Sequence, residues 1–216
     1  LKAKTEGQQL LLNAIDEKNL VLALGPAGTG KTYLAIAKAV EALEAGKVDR
    51  IVLTRPAVEA GESIGYLPGE MEDKLAPYLR PLFDELTNRM SVKRMRMLMS
   101  EGTIEIAPLG FMRGRTLSNA FIVADEMQNA TYMQLKMLLT RLGWNSTMVV
   151  TGDPGQSDLL PGQSGYAQVA DLLSDNAKIG VVRLANRDIV RHPLVAEMME
   201  ILPDTLDGFK PPALRP

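Results

Sequence analysis

The sequence contains no cysteine, which excludes disulfides and thiolate metal sites and leaves the redox compartment open. Histidine is almost as scarce. His192 stands alone, so neither a catalytic triad nor a two-histidine zinc site can be built, and a capping or packing role beside Pro193 is expected. No apolar run approaches the roughly 18 residues of a membrane span, and no charged-then-apolar leader opens the chain. A soluble, cytoplasmic protein with no membrane partner is the expectation. Neither sign of charge prevails: 24 basic residues face 26 acidic ones, for a net charge of −2. A uniformly basic surface for coating nucleic acid is therefore not expected, although a local groove of Arg and Lys is compatible with that balance. The chain shows no internal repeat, and it begins at Leu1 rather than Met, so sequence can be missing upstream.

Apolar residues make up 46% of the 216, enough for one α/β domain that buries roughly 70% of its unfolded surface. The methionines read as adaptable core filler. Short apolar runs at 20–24, 50–54, 103–107, 120–124, 147–151 and 179–184 alternate with helical patterns at 31–44, 132–142, 165–173 and 193–201. Several of the runs are continuously apolar, as strands buried on both faces require. The expected fold is α/β: a mostly parallel sheet with helices on both faces, in three α/β/α layers. Residues 56–77 carry Gly61, Gly65, Pro68 and Gly69 and read as a long functional loop, followed by a helical stretch over 78–100. One domain is expected over 1–202, with a loose proline-rich tail at 203–216.

One segment carries the chemistry. Gly25-Pro26-Ala27-Gly28-Thr29-Gly30-Lys31-Thr32 matches G-x-x-x-x-G-K-T between a strand pattern and an alanine-rich helix. Its glycines let backbone N–H groups turn inward on phosphate oxygens, and the following helix aims its positive end at the same anion. Lys31 can then reach the β- and γ-phosphates of ATP, the Thr32 hydroxyl can bind Mg²⁺, and Tyr33 borders the nucleotide. A glycine-rich turn is the bland alternative, and the strand-to-helix setting argues against it. A second apolar strand ends in Asp125-Glu126, which the carboxyl-end rule for open α/β sheets places beside the phosphates. Asp125 would hold Mg²⁺ through water, and Glu126 would position or deprotonate the attacking water. The competing reading of such an acidic pair is a helix cap. A third strand leads into Gly152-Asp153-Pro154-Gly155-Gln156, where Gln156 can sense the γ-phosphate or simply occupy a Pro-Gly turn.

In this order the pieces resemble the PhoH family of phosphate-starvation-inducible ATPases. The matching stretches are GPAGTGKTYLA, IVLTRPAVEAGESIGYLPGE, APYLRPLFDEL, IEIAPLGFMRGRTL, ADEMQN, LTRLG, VVTGD and RDIVRHPLV, which cover most of residues 5–200. The resemblance implies a RecA-like P-loop NTPase fold, ATP binding and hydrolysis, and kinship with the first motor domain of superfamily-1 helicases. It makes Asp125, Glu126 and Gln128 a D-E-x-Q box, assigns Gln156 to a G-D-x-x-Q box, and gives Gln8 the look of a helicase-type adenine-reading glutamine. Two departures are present: Met127 stands where the family usually has alanine, and PGQSDLLPGQSGY differs from the usual pattern.

Helicases of that kind place ATP between two RecA-like domains, the second supplying an arginine worth about 10³–10⁵ in rate. The chain's length suggests a single such domain, so a homo-oligomer, in the form of a hexameric ring, is expected to complete the site. Arg191 is the first candidate for that arginine, with Arg187 and Arg141 behind it; a surface ion pair is the alternative for each. Longer relatives carry a fused PIN nuclease, for which the length leaves no room, so no nuclease activity is expected. The resemblance leans towards RNA. Arg55, Phe111, Arg113 and Arg115 can line a single-stranded track, whereas Arg89, Lys93, Arg94 and Arg96 read by default as a solvated helix face. Two other classes stay open: an ATP-dependent switch acting on a protein partner, and a small-molecule kinase.

Overall fold

The computed structural model describes residues 1–57 and 69–208; residues 58–68 of the expected loop and 209–216 of the expected tail lie outside it. The described chain runs α1 (Glu6–Glu17), β1 (Leu20–Leu24), α2 (Lys31–Glu44), β2 (Arg50–Arg55), α3 (Arg80–Thr87), α4 (Val92–Ser100), β3 (Ile104–Pro108), β4 (Ala120–Ala124), α5 (Tyr132–Leu139), β5 (Thr147–Gly152), α6 (Tyr166–Leu173), β6 (Ile179–Arg183) and α7 (Pro193–Ile201). The six strands form one parallel sheet in the order β3-β2-β4-β5-β1-β6.

Successive strand residues point to opposite faces, which explains both the continuous apolar runs and the three layers. Val21, Ile51, Leu53, Val123 and Val149 pack with Leu11 and Ile15 of α1, Leu34 and Ile36 of α2, Leu82 and Phe83 of α3, and Met95 of α4. Their strand neighbours Leu22, Val52, Ile122, Met148 and Val150 turn the other way, onto Leu135 and Leu138 of α5 and Tyr166 and Val169 of α6. Tyr166 is fully buried, and its hydroxyl lies 2.7 Å from the Ala23 carbonyl and 2.9 Å from that of Val150, fastening α6 beneath β1 and β5.

The structure corrects three expectations. The stretch 78–100 is not one helix. A short turn at Pro77–Leu79 leads into α3, which stops at Thr87, and α4 restarts under the cap of Ser91, whose hydroxyl accepts the Arg94 N–H at 3.2 Å. The break lets Leu82, Phe83 and Leu86 and then Met95 and Leu98 all reach the same core. Helix α5 ends at Leu139 rather than 142, where the Thr140 hydroxyl donates to the carbonyls of Lys136 and Met137. Helix α1 was not anticipated; Thr5 caps it, and Leu11, Leu12 and Ile15 bury one face. His192 does cap α7, its Nδ1 accepting from the Leu194 N–H at 3.1 Å. Among the described residues no helix is long and apolar enough to cross a membrane.

Candidate nucleotide site

The strand register collects the sequence-predicted residues on one rim. Leu24 is level with Gly152, Ala124 with Val150, and Thr54 with Ala124, so Gly25, Asp125, Thr151 and Arg55 leave or line adjacent carboxyl ends. That rim is where open parallel sheets bind ligands.

Between β1 and α2 the loop turns back on itself through Gly28 at φ 83° and Gly30 at φ 82°, left-handed conformations that favour glycine. A side chain at Gly30 would also meet the Gln8 amide at 3.0 Å. Lys31 is 8% exposed and folds over the loop, donating to the Gly25 and Pro26 carbonyls at 2.7 Å each. Burial pushes its ammonium below the ordinary lysine value, while Asp153, Asp125 and Glu126 pull it back up. Those carbonyls hold the cation where phosphate oxygens would otherwise take it. Thr29 is buried and donates to the Pro26 carbonyl at 2.9 Å, fixing the inner turn. Pro26 is half-buried, Ala27 and Gly28 are exposed, and Tyr33 is exposed with the Arg89 guanidinium 5.0 Å from its ring centre.

Asp125, only 3% exposed, is the hub. Its Oδ1 accepts the Thr32 and Thr151 hydroxyls at 2.6 Å each, and its Oδ2 accepts Arg55 Nε at 2.9 Å and Nη2 at 2.8 Å. Thr32 and Asp125 are thus brought into direct contact from positions 93 residues apart. Both offer hard oxygens of the kind Mg²⁺ takes, and among the described residues no group of three or more His, Cys, Asp and Glu forms a cage. Mg²⁺ here would be held by Thr32 and Asp125 with phosphate oxygens and water making up the rest, the arrangement common to nucleotide sites.

Glu126 adopts φ 56°, in the left-handed region, and its carboxylate accepts the Gln128 Nε2–H at 2.7 Å. Gln128 in turn accepts the Asp153 N–H at 3.1 Å, linking the acidic end of β4 to the end of β5. Met127 is fully buried in the core, so its departure from alanine leaves both carboxylates on the rim.

The remaining predicted residues divide. Gln8 is buried against the loop, its Nε2 donating to the Thr29 carbonyl at 3.0 Å and its Oε1 accepting the Lys4 N–H at 2.8 Å. Gln156 is exposed on a turn closed by Gln156 N–H to Asp153 carbonyl and Gly155 N–H to Asp153 Oδ1, both 3.0 Å. Arg55 points inward at Asp125 instead of lining an outer track, because β2 lies next to β4. Arg115 is paired with Glu105 at 2.9 Å, whereas Phe111 is 67% exposed and Arg113 is exposed without a described partner. Arg187 and Arg191 are exposed and Arg141 half-buried; Arg191 follows Val190, whose N–H donates to the Gly28 carbonyl at 2.9 Å, so it stands beside its own loop.

Sequence reasoning missed three participants. The contacts of Thr151 and Arg55 with Asp125 need the strand order to be seen. Asp188 is the third: it accepts the Gly7 and Ala185 N–H groups at 3.0 and 2.9 Å, strapping α1 to the segment that runs beside Gly28. Those bonds hold its carboxyl below the usual range, the Ala185 N–H foremost.

A parallel sheet with this phosphate loop after β1 and an acidic strand end meeting it from β4 defines a RecA-like P-loop NTPase domain. Within that class the chain belongs to the PhoH family: the family model described as "PhoH-like protein" matches residues 1–203. The chain is similar to the PhoH-like protein of Bacillus subtilis, 51% identical over 93% of this chain and 63% of that protein. It is likewise similar to the PhoH-like protein of Mycobacterium tuberculosis H37Rv, at 53% identity over 93% and 57%. Protein PhoH of Escherichia coli K12 is 45% identical over 89% and 55%. The chain therefore spans less than two thirds of the length of these relatives. Among solved structures, the large terminase of bacteriophage D6E superposes with a TM-score of 0.53 at 12% identity, covering 92% of this chain and 50% of that one. That likeness shows a shared fold.

Proposed function

We propose that this domain binds ATP with Mg²⁺, hydrolyses it, and couples the cycle to single-stranded RNA as a helicase-like remodeller in the cytoplasm. The observation that carries the hydrolytic reading is the contact of Thr32 on the phosphate loop with Asp125 at the end of β4, 2.6 Å apart, with Lys31 and Glu126 beside them. A glycine-rich turn of purely structural origin has no need to place its threonine on a buried carboxylate.

Each residue then has a task. Lys31 exchanges the Gly25 and Pro26 carbonyls for the β- and γ-phosphate oxygens, which satisfy its ammonium better than neutral acceptors do. The N–H groups of residues 28–32 point at the same phosphates. Glu126, steadied by Gln128, orients the attacking water and takes its proton. Gln156 reports the γ-phosphate through the Asp153 turn, and Gln8 reads the base by giving up its bond to Thr29. The exposed ring of Phe111 with the exposed Arg113 offers stacking and charge to a single strand; Arg115, engaged by Glu105, contributes less.

A neighbouring copy supplies an arginine to the transferring phosphate in a head-to-tail ring. The side of the loop bordered by exposed Arg191 is the face on which the two copies meet.

The test is ATP turnover with and without single-stranded RNA across a range of salt. RNA should raise turnover, the effect should fade steeply with salt, and Arg113→Ala should blunt it more than Arg115→Ala. Turnover indifferent to RNA, with both substitutions silent, would replace the RNA reading with that of a switch acting on a protein.

A further inference from the structure

Asp125 has no free lone pair. Two hydroxyls occupy its Oδ1 and two guanidinium N–H groups its Oδ2, and the third Arg55 nitrogen, Nη1, donates to the Tyr78 carbonyl at 2.9 Å. Arg55 is thereby held at both ends, by the carboxylate of β4 and by the backbone just before α3. It belongs to β2, the strand next to β4, and its side chain is 18% exposed against 4% for that of Asp125, so water screens the pair poorly. A buried carboxylate must be neutralised somehow, and in this arrangement the neutralising cation comes from the chain itself.

Resting on the nucleotide reading above, we infer that Arg55 is a positioning residue that competes with magnesium for Asp125. The reasoning is electrostatic and geometric. A water of the metal's shell can bond to Asp125 only by displacing one of the four donors, and Arg55 supplies two of them on Oδ2. A dication held by Thr32, whose hydroxyl is 2.6 Å from the same carboxylate, would also lie close to the guanidinium and be repelled by it. Both effects have one sign: Arg55 weakens the hold on the metal. A site whose Asp125 is charge-paired and aimed by Arg55 can accept a Mg–nucleotide complex and let the diphosphate product leave.

The experiment uses the whole chain and two readouts that do not depend on turnover. First, Mg²⁺ is titrated into a fluorescent ADP analogue bound to the wild type, Arg55→Gln and Arg55→Lys, each also measured in EDTA. Arg55→Gln should need about ten-fold less Mg²⁺ for half of the metal-dependent gain in affinity. It should also release the Mg-bound analogue more slowly, with little change in EDTA. Arg55→Lys, which keeps the charge, should stay near the wild type. Equal half-points in Arg55→Gln and the wild type, or a higher one in Arg55→Gln, would overturn the inference. Second, urea unfolding of the metal-free wild type, Arg55→Gln, Asp125→Asn and the double variant measures the pair directly. The two losses should be strongly non-additive, and additive losses would overturn the positioning role. If no form of the protein bound the analogue, the nucleotide reading and the competition built on it would both fall, while the unfolding cycle would still decide whether Arg55 positions Asp125.

Discussion

At the carboxyl end of β4 two adjacent acids have different surroundings. Asp125 is saturated with donors and nearly sealed from solvent, whereas Glu126 adopts a left-handed backbone and its carboxylate accepts a hydrogen bond from Gln128. Replacing Asp125 with alanine leaves Arg55 partly buried opposite nothing, and urea unfolding should register a loss of about 2–3 kcal/mol, even without nucleotide. A wild-type midpoint in that variant would mean that the pair contributes no stability. Lys31, Thr32, Asp125 and Glu126 were legible in the sequence because their chemistry follows from a loop motif and an acidic strand end. The contacts of Arg55 and Thr151 with Asp125 were not, since they follow only once β2 and β5 are known to flank β4.

Among the elements, the strands buried on both faces were the clearest, although the exposed α7 was also read at its true bounds and the partly buried α1 was missed. The strands at 20–24 and 120–124 match expectation because both faces are covered and the apolar runs are unbroken. The helical stretch over 78–100 misled because α3 and α4 are both amphipathic, and the turn between them is marked only by the Ser91 cap. Removing that cap with Ser91→Ala should cost about 1 kcal/mol by chemical denaturation. Tyr166→Phe should cost a similar 0.5–1.5 kcal/mol, roughly the worth of its lost hydrogen bonding beneath β1 and β5. The turn Met71–Lys74 is joined to α4 by an ion pair between Glu72 and Arg96, which holds the Glu72 carboxyl down at about 2 from its ordinary 4.5. A carboxyl lowered on folding contributes stability that is fully present above its unfolded value and is lost as pH falls through its folded one. Thermal stability should therefore decline between pH 4.5 and about 2, and Arg96→Gln should flatten that part of the profile. An unchanged acid limb in the variant would show that Arg96 is not the cause.

For the molecule as a whole, the class of fold could be read from alternating patterns, but the strand order could not, because nothing local says that β5 lies between β1 and β4. That order brings Thr32, at the end of the glycine-rich loop, to Asp125 at the end of β4, the contact on which the proposed hydrolytic site is built. The ring is a separate matter. The relatives are considerably longer than this chain, so length is no ground for it, and the proposal rests on the open face beside Gly28 and Arg191. Sedimentation in the presence of ATP should find a closed oligomer, and Arg191→Ala should lower turnover while leaving ATP binding intact; a fully active monomer would remove the shared site. The account stands or falls, however, on hydrolysis at this rim. The most direct measurement compares ATP affinity and steady-state turnover in the wild type and Glu126→Gln. Both should bind ATP with similar affinity, and the variant's turnover should fall by about 100-fold or more, as the loss of a positioned base implies. Undiminished turnover in Glu126→Gln would contradict it.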